Sequence, residues 1–219
     1  MLTWFGRWWD SHVVERALDS ARSEQMDRIR KTLISKIPDV PHIVEVGAGS
    51  GLNFLHYPSY VRDLTVITLN KHISKRAQQK AQEKGLNLHH IQGDGNTFPL
   101  KDESYDAVVA TLILCTVSDV PQFLNEVSRV LRENGKFLFY EHNAVPSRER
   151  SVLVRFVAPV HRLVTVGCHL DREFPAEAFK KVGLHIDWIE EEQSEFAPRL
   201  FGKLRYGVAT KHKPSTEEQ

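Results

Sequence analysis

The sequence PHIVEVGAGSGL at residues 41–52 joins a short apolar run to three closely spaced glycines. The run at 43–46 predicts a buried strand, and Gly47, Gly49 and Gly51 predict a tight loop that leads into a helix. Glycine adopts backbone angles that other residues resist and lets a ligand approach the chain closely. The N–H groups at the start of the following helix have no intrahelical partners. The pattern therefore predicts a site for a nucleotide-like ligand, although a ligand-free strand-to-helix turn could use the same glycines.

The spacing of the glycines distinguishes between ligand classes. A dinucleotide fingerprint requires glycine at the first, third and sixth positions, and Leu52 occupies the sixth. The observed pattern, with an acid two residues before the first glycine, instead resembles the first motif of class I S-adenosylmethionine-dependent methyltransferases. This resemblance implies a Rossmann-like fold and S-adenosyl-L-methionine as cofactor. The cofactor-binding residues that it implies here are Glu45, Gly47, Ala48, Gly49 and Gly51.

Length and composition limit the class of protein. A chain of 219 residues is long enough for one α/β domain with a sizeable core. Its formal net charge of +1 gives no electrostatic case for a nucleic-acid partner, so we expect a small-molecule substrate. Two cysteines, no secretory signal pattern and no apolar run long enough to span a membrane favour a cytoplasmic location. The sequence indicates no oligomeric state.

The order of apolar runs and amphipathic segments predicts the fold class. Strands and helices alternate, with a fourth strand expected at 105–114 and a fifth at 135–140, which implies a parallel sheet with right-handed crossovers. The last two strands, around 185–189 and 203–209, are expected to form an antiparallel pair. We therefore predict an α/β, Rossmann-like methyltransferase fold with a mostly parallel seven-stranded sheet, an antiparallel last strand and an N-terminal helical extension.

Three segments lie outside this alternation. Residues 1–38 predict a helical cover that belongs to the same domain, 39–210 the methyltransferase domain, and 211–219 a disordered tail. Residues 146–174 carry several arginines among apolar residues and predict an inserted helical cap near the ligand crevice.

The start of the chain is amphipathic and rich in aromatic residues, with Trp4, Trp8 and Trp9 within nine residues. Three interpretations are open for this helix: packing on the domain, a lid over an apolar substrate, or contact with a membrane surface.

Two further motifs extend the resemblance to class I methyltransferases. QGDGNTFPL at 92–100 follows the third strand, and the family's Gly-Asp pair with its following turn contacts adenine. The resemblance therefore implies cofactor contacts for Asp94 and Gly95, and for Thr111 on the fourth strand. Asp94 could also be only a turn residue.

The segments 111–117, 125–132, 140–142 and 167–172 narrow the resemblance to the thiol S-methyltransferase branch of methyltransferase-like proteins. The similarity covers about residues 40–210. Relatives of this type include quinone-biosynthesis and phospholipid N-methyltransferases. The resemblance therefore implies methyl transfer to a small apolar acceptor, which could be a thiol, a quinol or phenol, or a lipid amine.

The chief departure from the family lies at the end of the second strand. The family usually has Asp or Glu there, where it binds both ribose hydroxyls, and this chain has Thr68 followed two residues later by Asn70. Either cofactor affinity is reduced, with Thr68 and Asn70 at the ribose, or the register of the strand differs. A non-catalytic binding protein on the same fold is an alternative to the enzyme, and a nicotinamide-dependent oxidoreductase is a weaker one.

The methyl donor carries the reactive group, so a separate catalytic residue is not obligatory. His142, just past the fifth strand, is a candidate active-site base, and a core or supporting role is the alternative. No metal site is expected, because none of the histidines shows the paired spacing of a helical zinc motif and there is no Cys-x-x-Cys. Cys115, at an apolar strand end, is expected to be a buried, inert thiol.

Overall fold

The computed structural model describes residues 23–40, 42–144, 158, 168–169, 172–174, 176–195 and 203–212. The strands are β1 Ile43–Val46, β2 Asp63–Thr68, β3 Asn87–Gln92, β4 Tyr105–Thr111, β5 Leu131–Asn143, β6 Leu184–Gln193 and β7 Lys203–Lys211. The helices are α1 Glu24–Ile34, α2 Lys75–Lys84, α3 Val120–Val130 and α4 Ala176–Lys180, and a 3-10 helix covers Leu52–His56.

The seven strands form one sheet in the order β3-β2-β1-β4-β5-β7-β6. Pairs among β1 to β5 are parallel, whereas β7 is antiparallel to both β5 and β6. The predicted fold class, a mostly parallel seven-stranded α/β sheet with an antiparallel last strand, is confirmed. Strand β1 pairs with β2 on one side and with β4 on the other. Later strands are therefore added first to one side of β1 and then to the other, and the strand order reverses at β1. Ligands of open α/β sheets bind in the crevice beyond the carboxyl ends of such strands.

Local sequence signals account for the described helices. Ser23, Ser74 and Asp119 precede α1, α2 and α3, and each side chain accepts a hydrogen bond from a backbone N–H of the first turn. Gly85 ends α2 in a left-handed conformation, as the sequence predicts.

Apolar side chains cover both faces of the sheet. On one face α1, α2 and the 3-10 helix pack on the sheet, and Ile29, Leu33 and Phe54 are fully buried. On the other face α3 and α4 pack against it, with Phe123 and Phe179 in the core. The sheet is therefore covered on both sides, and its crevice opens along the carboxyl edge of the parallel strands.

The boundaries of three strands differ from the prediction. Strand β4 ends at Thr111 rather than at residue 114, because Leu112 adopts a left-handed φ of 58° that no strand can continue. Strand β5 begins earlier and ends later than predicted. Strand β7 extends to Lys211, whose ammonium donates to the Leu131 carbonyl at 2.7 Å.

The described part of the N-terminal cover is α1, which is shorter than the predicted helix. The aromatic segment with Trp4, Trp8 and Trp9, nearly all of the predicted cap and residues 213–219 lie outside the described residues. The three domain limits therefore stay predictions. Among the described helices, none combines the length and apolar character needed to cross a bilayer.

Candidate functional site

The glycine loop, residues 47–51, lies at the carboxyl end of the central strand β1. The Gly47 N–H donates to Ile67 O at 2.8 Å, and the Gly51 N–H donates to Ala48 O at 2.8 Å. A Cβ atom on Gly47 would lie only 2.0 Å from the Ile113 side chain, so this glycine is required for close packing. Gly49 differs, because a Cβ there would meet no atom within 4 Å. The loop therefore packs at Gly47 and faces open space at Gly49.

Gly51 begins the 3-10 helix, and a Cβ on it would lie 2.9 Å from the Ala77 backbone of α2. Ala48 is the loop residue whose side chain is buried in the core. The structure thus brings all five predicted residues of this stretch together, with only one of its glycines open to a ligand.

A buried carboxyl supports the loop from below. Glu45 is 1% exposed; its Oε1 accepts from Asn53 Nδ2 at 3.0 Å and its Oε2 accepts from the Tyr57 hydroxyl at 2.8 Å. Burial raises the pKa of the Glu45 carboxyl to about 7, against the effect of these two hydrogen bonds. Asn53 Nδ2 also donates to Thr111 Oγ1 at 3.0 Å, which links the loop to the end of β4. Glu45 therefore anchors the helix that follows the loop.

The residues present fit S-adenosylmethionine on two observations. The crevice is open beside Gly49, because this residue has no side chain and no atom lies within 4 Å of the place where its Cβ would be. The Asn53 Oδ1 atom is buried beneath the same loop and has no hydrogen-bond partner in the described part of the chain. A polar ligand at this loop would enter a space that no described side chain fills.

The end of β2 carries the departure from the family pattern. Thr68 is the last residue of β2, as predicted. Its hydroxyl donates to Asn70 O at 3.1 Å and lies 2.9 Å from His90 Nε2. A threonine hydroxyl that donates to one group and contacts another has little capacity left for a ribose. The Asn70 side-chain amide has no hydrogen bond within the described ranges, which makes it the better ribose candidate of the two.

The turn after β3 holds Asp94 in an exposed position. Asp94 Oδ1 accepts from the backbone N–H groups of Asn96 and Thr97 at 2.9 and 3.1 Å. Asp94 is thus a turn residue, and its other carboxylate oxygen stays available for a ligand. Gly95 follows with a left-handed φ of 80° and packs near Val117.

The β4 loop, residues 112–117, follows the fourth strand and is organised by Glu141 of β5. This carboxyl is 1% exposed and accepts N–H groups from Ile113, Leu114 and Cys115 at 2.7, 2.8 and 3.3 Å. Burial raises the pKa of Glu141 to about 8, against the effect of these three bonds. A hydrogen bond with the Cys168 thiol, together with burial, holds the pKa of the Cys115 thiol well above its usual value, as expected for an inert thiol.

His142 lies at the carboxyl end of β5, beside Leu204 of β7, and on the same face of the sheet as Tyr140. Both ring nitrogens are buried. Its position at the strand end is compatible with either of the two predicted roles, so the assignment as a base stays a prediction.

Sequence reasoning missed four residues that shape this site: Asn53, Tyr57, Glu141 and Arg172. Asn53 and Tyr57 lie four residues apart after the glycine loop, so a shared face toward Glu45 could have been expected. Glu141 is a single acid at the end of the apolar β5 run, and this position could have indicated a buried, hydrogen-bonded carboxyl. Arg172 donates to the carbonyls of Leu114 and Val117 in the β4 loop, and nothing in the local sequence connects it to that loop.

Comparisons with known proteins agree with this geometry. Residues 44–139 match the family model described as a methyltransferase domain. Thiol S-methyltransferase TMT1B of Rattus norvegicus is 32% identical over 165 residues, which cover 70% of this chain and 67% of the relative. Thiol S-methyltransferase TMT1A of Homo sapiens is 31% identical over 199 residues, covering 86% of this chain and 81% of the relative.

A solved structure shares the fold. The YcgJ protein of Bacillus subtilis superposes with a TM-score of 0.65 at 19% identity, covering 85% of this chain and 99% of the other. At this identity the likeness concerns the fold alone, and family membership rests on the two thiol S-methyltransferases. The chain belongs to the S-adenosylmethionine-dependent methyltransferases, in the family that includes these thiol S-methyltransferases.

Proposed function

We propose that this methyltransferase acts on the sulfur of a small, largely apolar thiol. The observation that carries the proposal is the extent of the likeness to the human thiol S-methyltransferase, which includes 86% of this chain. A likeness of that length extends well beyond the glycine loop and its strands. The net charge of +1 supports a small molecule over a nucleic acid. A cytoplasmic location and membrane contact through the N-terminal helix stay predictions.

The residues proposed to hold the cofactor surround the crevice beyond β1. The glycine loop would bind through its open side at Gly49, and Asn70 and Asp94 would provide polar groups from the ends of β2 and β3. The full proposed set is Glu45, Gly47, Ala48, Gly49, Gly51, Thr68, Asn70, Asp94, Gly95 and Thr111. Glu45 and Thr68 contribute by supporting their neighbours, because their side-chain oxygens already have partners.

When bound, S-adenosylmethionine would supply its sulfonium methyl group to a sulfur nucleophile, with S-adenosylhomocysteine as the leaving group. The chain itself would orient the thiol in line with that methyl, exclude water and, where the thiol is not yet ionised, accept its proton. His142 is the proposed acceptor of that proton, because it lies at the carboxyl end of β5, at the edge where the crevice opens.

The acceptor class is tested by methyl transfer from labelled S-adenosylmethionine to three probes: an alkyl thiol, a reduced quinone and a phosphatidylethanolamine vesicle. We expect label on the thiol, with the other two at background. Label on the quinol or the lipid amine alone would contradict the thiol proposal without affecting the cofactor assignment.

The proposed role of His142 has its own test. In His142→Gln, kcat should fall by about 10²-fold to 10⁴-fold, the range for loss of a general base, while S-adenosylhomocysteine affinity stays unchanged. A thiol that is already ionised at the assay pH should lose much less, because it has no proton to remove. An equal loss with ionised and un-ionised thiols would exclude the base.

A further inference from the structure

The β4 loop begins with a left-handed residue that is not glycine. Leu112 adopts a left-handed φ of 58°, a conformation disfavoured for a branched side chain. Its N–H still donates to Tyr140 O of β5 at 2.7 Å, as a strand residue would. The next residues therefore turn away from the sheet, and their N–H groups need other partners.

One carboxyl supplies those partners. Glu141 Oε1 accepts the N–H groups of Ile113 and Leu114 at 2.7 and 2.8 Å, and Oε2 accepts that of Cys115 at 3.3 Å. Leu114 and Cys115 are buried, so water could not replace the carboxyl. Buried N–H groups without hydrogen-bond partners are strongly disfavoured, and Glu141 is the acceptor for all three of these N–H groups.

A cation binds the carbonyl groups of the same loop. Arg172 Nη1 donates to Leu114 O at 2.7 Å and to Val117 O at 2.6 Å. The loop is thus held through its N–H groups by a carboxyl and through its carbonyls by a guanidinium. Both backbone groups of Leu114 are therefore hydrogen-bonded, the N–H to Glu141 and the carbonyl to Arg172. Because Ile113 is its neighbour in the chain, the backbone of Ile113 is held in place as well.

Ile113 connects this arrangement to the cofactor crevice. Its side chain lies so close to Gly47 that a Cβ on that glycine would be 2.0 Å from Cδ1 and 2.6 Å from Cγ1. The backbone of Ile113 is held by Glu141, and its side chain forms the surface against which the glycine loop packs. A shift of the β4 loop would therefore change the position of Gly47.

We propose that Glu141 is a positioning residue for cofactor binding, which holds residues 113–115 so that Ile113 supports the glycine loop in its binding conformation. This role goes beyond the proposed thiol specificity and does not depend on it. It concerns the crevice for S-adenosylmethionine, whichever acceptor is methylated.

The test compares three variants in S-adenosylhomocysteine titration and in amide hydrogen exchange of the cofactor-free protein. Glu141→Gln keeps an oxygen at Oε1 that can accept two N–H groups, whereas Glu141→Leu removes every acceptor. Glu192→Leu is the matched control, since Glu192 is a hydrogen-bonded carboxyl of β6 that binds Arg28 and Gln25 on α1.

We expect Glu141→Leu to weaken S-adenosylhomocysteine binding at least tenfold and to speed amide exchange at residues 113–115. Glu141→Gln should bind within threefold of wild type. Glu192→Leu should bind like wild type while folded. Wild-type affinity in folded Glu141→Leu would overturn the proposal, as would an equal loss of affinity in Glu141→Leu and Glu192→Leu.

If Glu141→Leu does not fold, Glu141→Asp replaces it, because the shorter side chain cannot reach all three N–H groups. The glutamine variant should then bind more tightly than the aspartate variant, although only aspartate keeps the acid. The reverse ranking would show that charge, rather than the loop contact, is what Glu141 contributes.

Discussion

The glycine loop and the β4 loop touch at Gly47 and Ile113 but hold their shapes in different ways. The glycine loop has left-handed glycines and a hydrogen bond between near neighbours, from the Gly51 N–H to Ala48 O. The β4 loop contains no glycine. Its groups are bound by Glu141, 28 residues from Ile113, and by Arg172, 58 residues from Leu114.

This difference shows that two loops at the same edge of a sheet can depend on residues at different distances along the sequence. A loop shaped by glycine is specified by its own residues, because glycine reaches left-handed angles at little cost. A loop shaped by a distant carboxyl is specified only when the sheet brings that carboxyl into place. The four predictions below test this contrast.

The largest effect is expected where the two loops meet. Gly47→Ala places a methyl group 2.0 Å from the Ile113 side chain at a φ of 75°. Overpacking and left-handed strain together should lower the free energy of unfolding by about 2–4 kcal/mol. The Kd for S-adenosylhomocysteine should rise at least tenfold, as measured by calorimetry.

Adding Ile113→Ala to Gly47→Ala should restore part of the stability, because the overlap is removed while the backbone strain of alanine remains. Denaturant unfolding of both single variants and the double variant gives the coupling. Strict additivity would show that the two loops do not interact at this contact.

The next prediction isolates the open part of the glycine loop. Gly49→Val should weaken S-adenosylhomocysteine binding at least tenfold while the protein stays folded, because its side chain enters open space at the crevice. Gly85→Val is the matched control. Gly85 also has a left-handed φ, and a Cβ added to it would meet no atom within 4 Å, but it ends α2 away from the crevice.

Both valine variants should lose similar stability, since the strain is the same. Only Gly49→Val should lose cofactor affinity. Equal affinities in the two variants would mean that the cofactor does not approach this glycine.

A pH effect should come from the buried carboxyls beneath the two loops. The pKa values of Glu45 and Glu141 are raised from 4.5 to about 7 and about 8, so the folded state retains protons that the unfolded state has released. Stability should therefore be fully present near pH 4.5 and fall as the pH rises to about 8. Together the two shifts correspond to a loss on the order of 6 kcal/mol between pH 5 and pH 8.

Urea unfolding at the two pH values measures this loss. Glu45→Gln and Glu141→Gln should each reduce it, because an amide does not titrate. Carboxyls with lowered pKa values, such as Glu126 and Asp187, lose their contribution only below about pH 4.5 and leave this window unaffected. An unchanged pH slope in both variants would contradict the assignment.

The smallest effect is expected at the end of β2. Hydrogen bonds to an ionised group contribute roughly 1.5–3 kcal/mol against about 1 for a neutral pair, so Thr68→Asp could tighten S-adenosylmethionine binding up to about tenfold. The nearby His90 ring and the cost of desolvating a new carboxylate reduce this gain.

Titration with S-adenosylmethionine and with its 2′-deoxyribose analogue measures the effect. The aspartate variant should discriminate more strongly against the deoxy compound than wild type does. If Asn70→Ala abolishes wild-type discrimination while Thr68→Asp changes nothing, the ribose contact belongs to Asn70.

Much of the fold and half of the site follow from local sequence. The glycine spacing and the alternation of apolar runs predict the sheet and the ligand crevice, because each is a short-range preference of the backbone. The cofactor follows from the resemblance to class I methyltransferases. Thr68 was correctly placed at the end of β2 for the same reason.

Tertiary structure decided the rest. The apolar run by itself predicts a longer β4. The strand ends at Thr111 because the Glu141 carboxyl of β5 accepts the N–H groups of Ile113 and Leu114. Burial raised the pKa values of Glu45 and Glu141, and close packing gave Gly47 and Gly49 different roles. These properties depend on distances between residues far apart in the chain, which no local pattern contains.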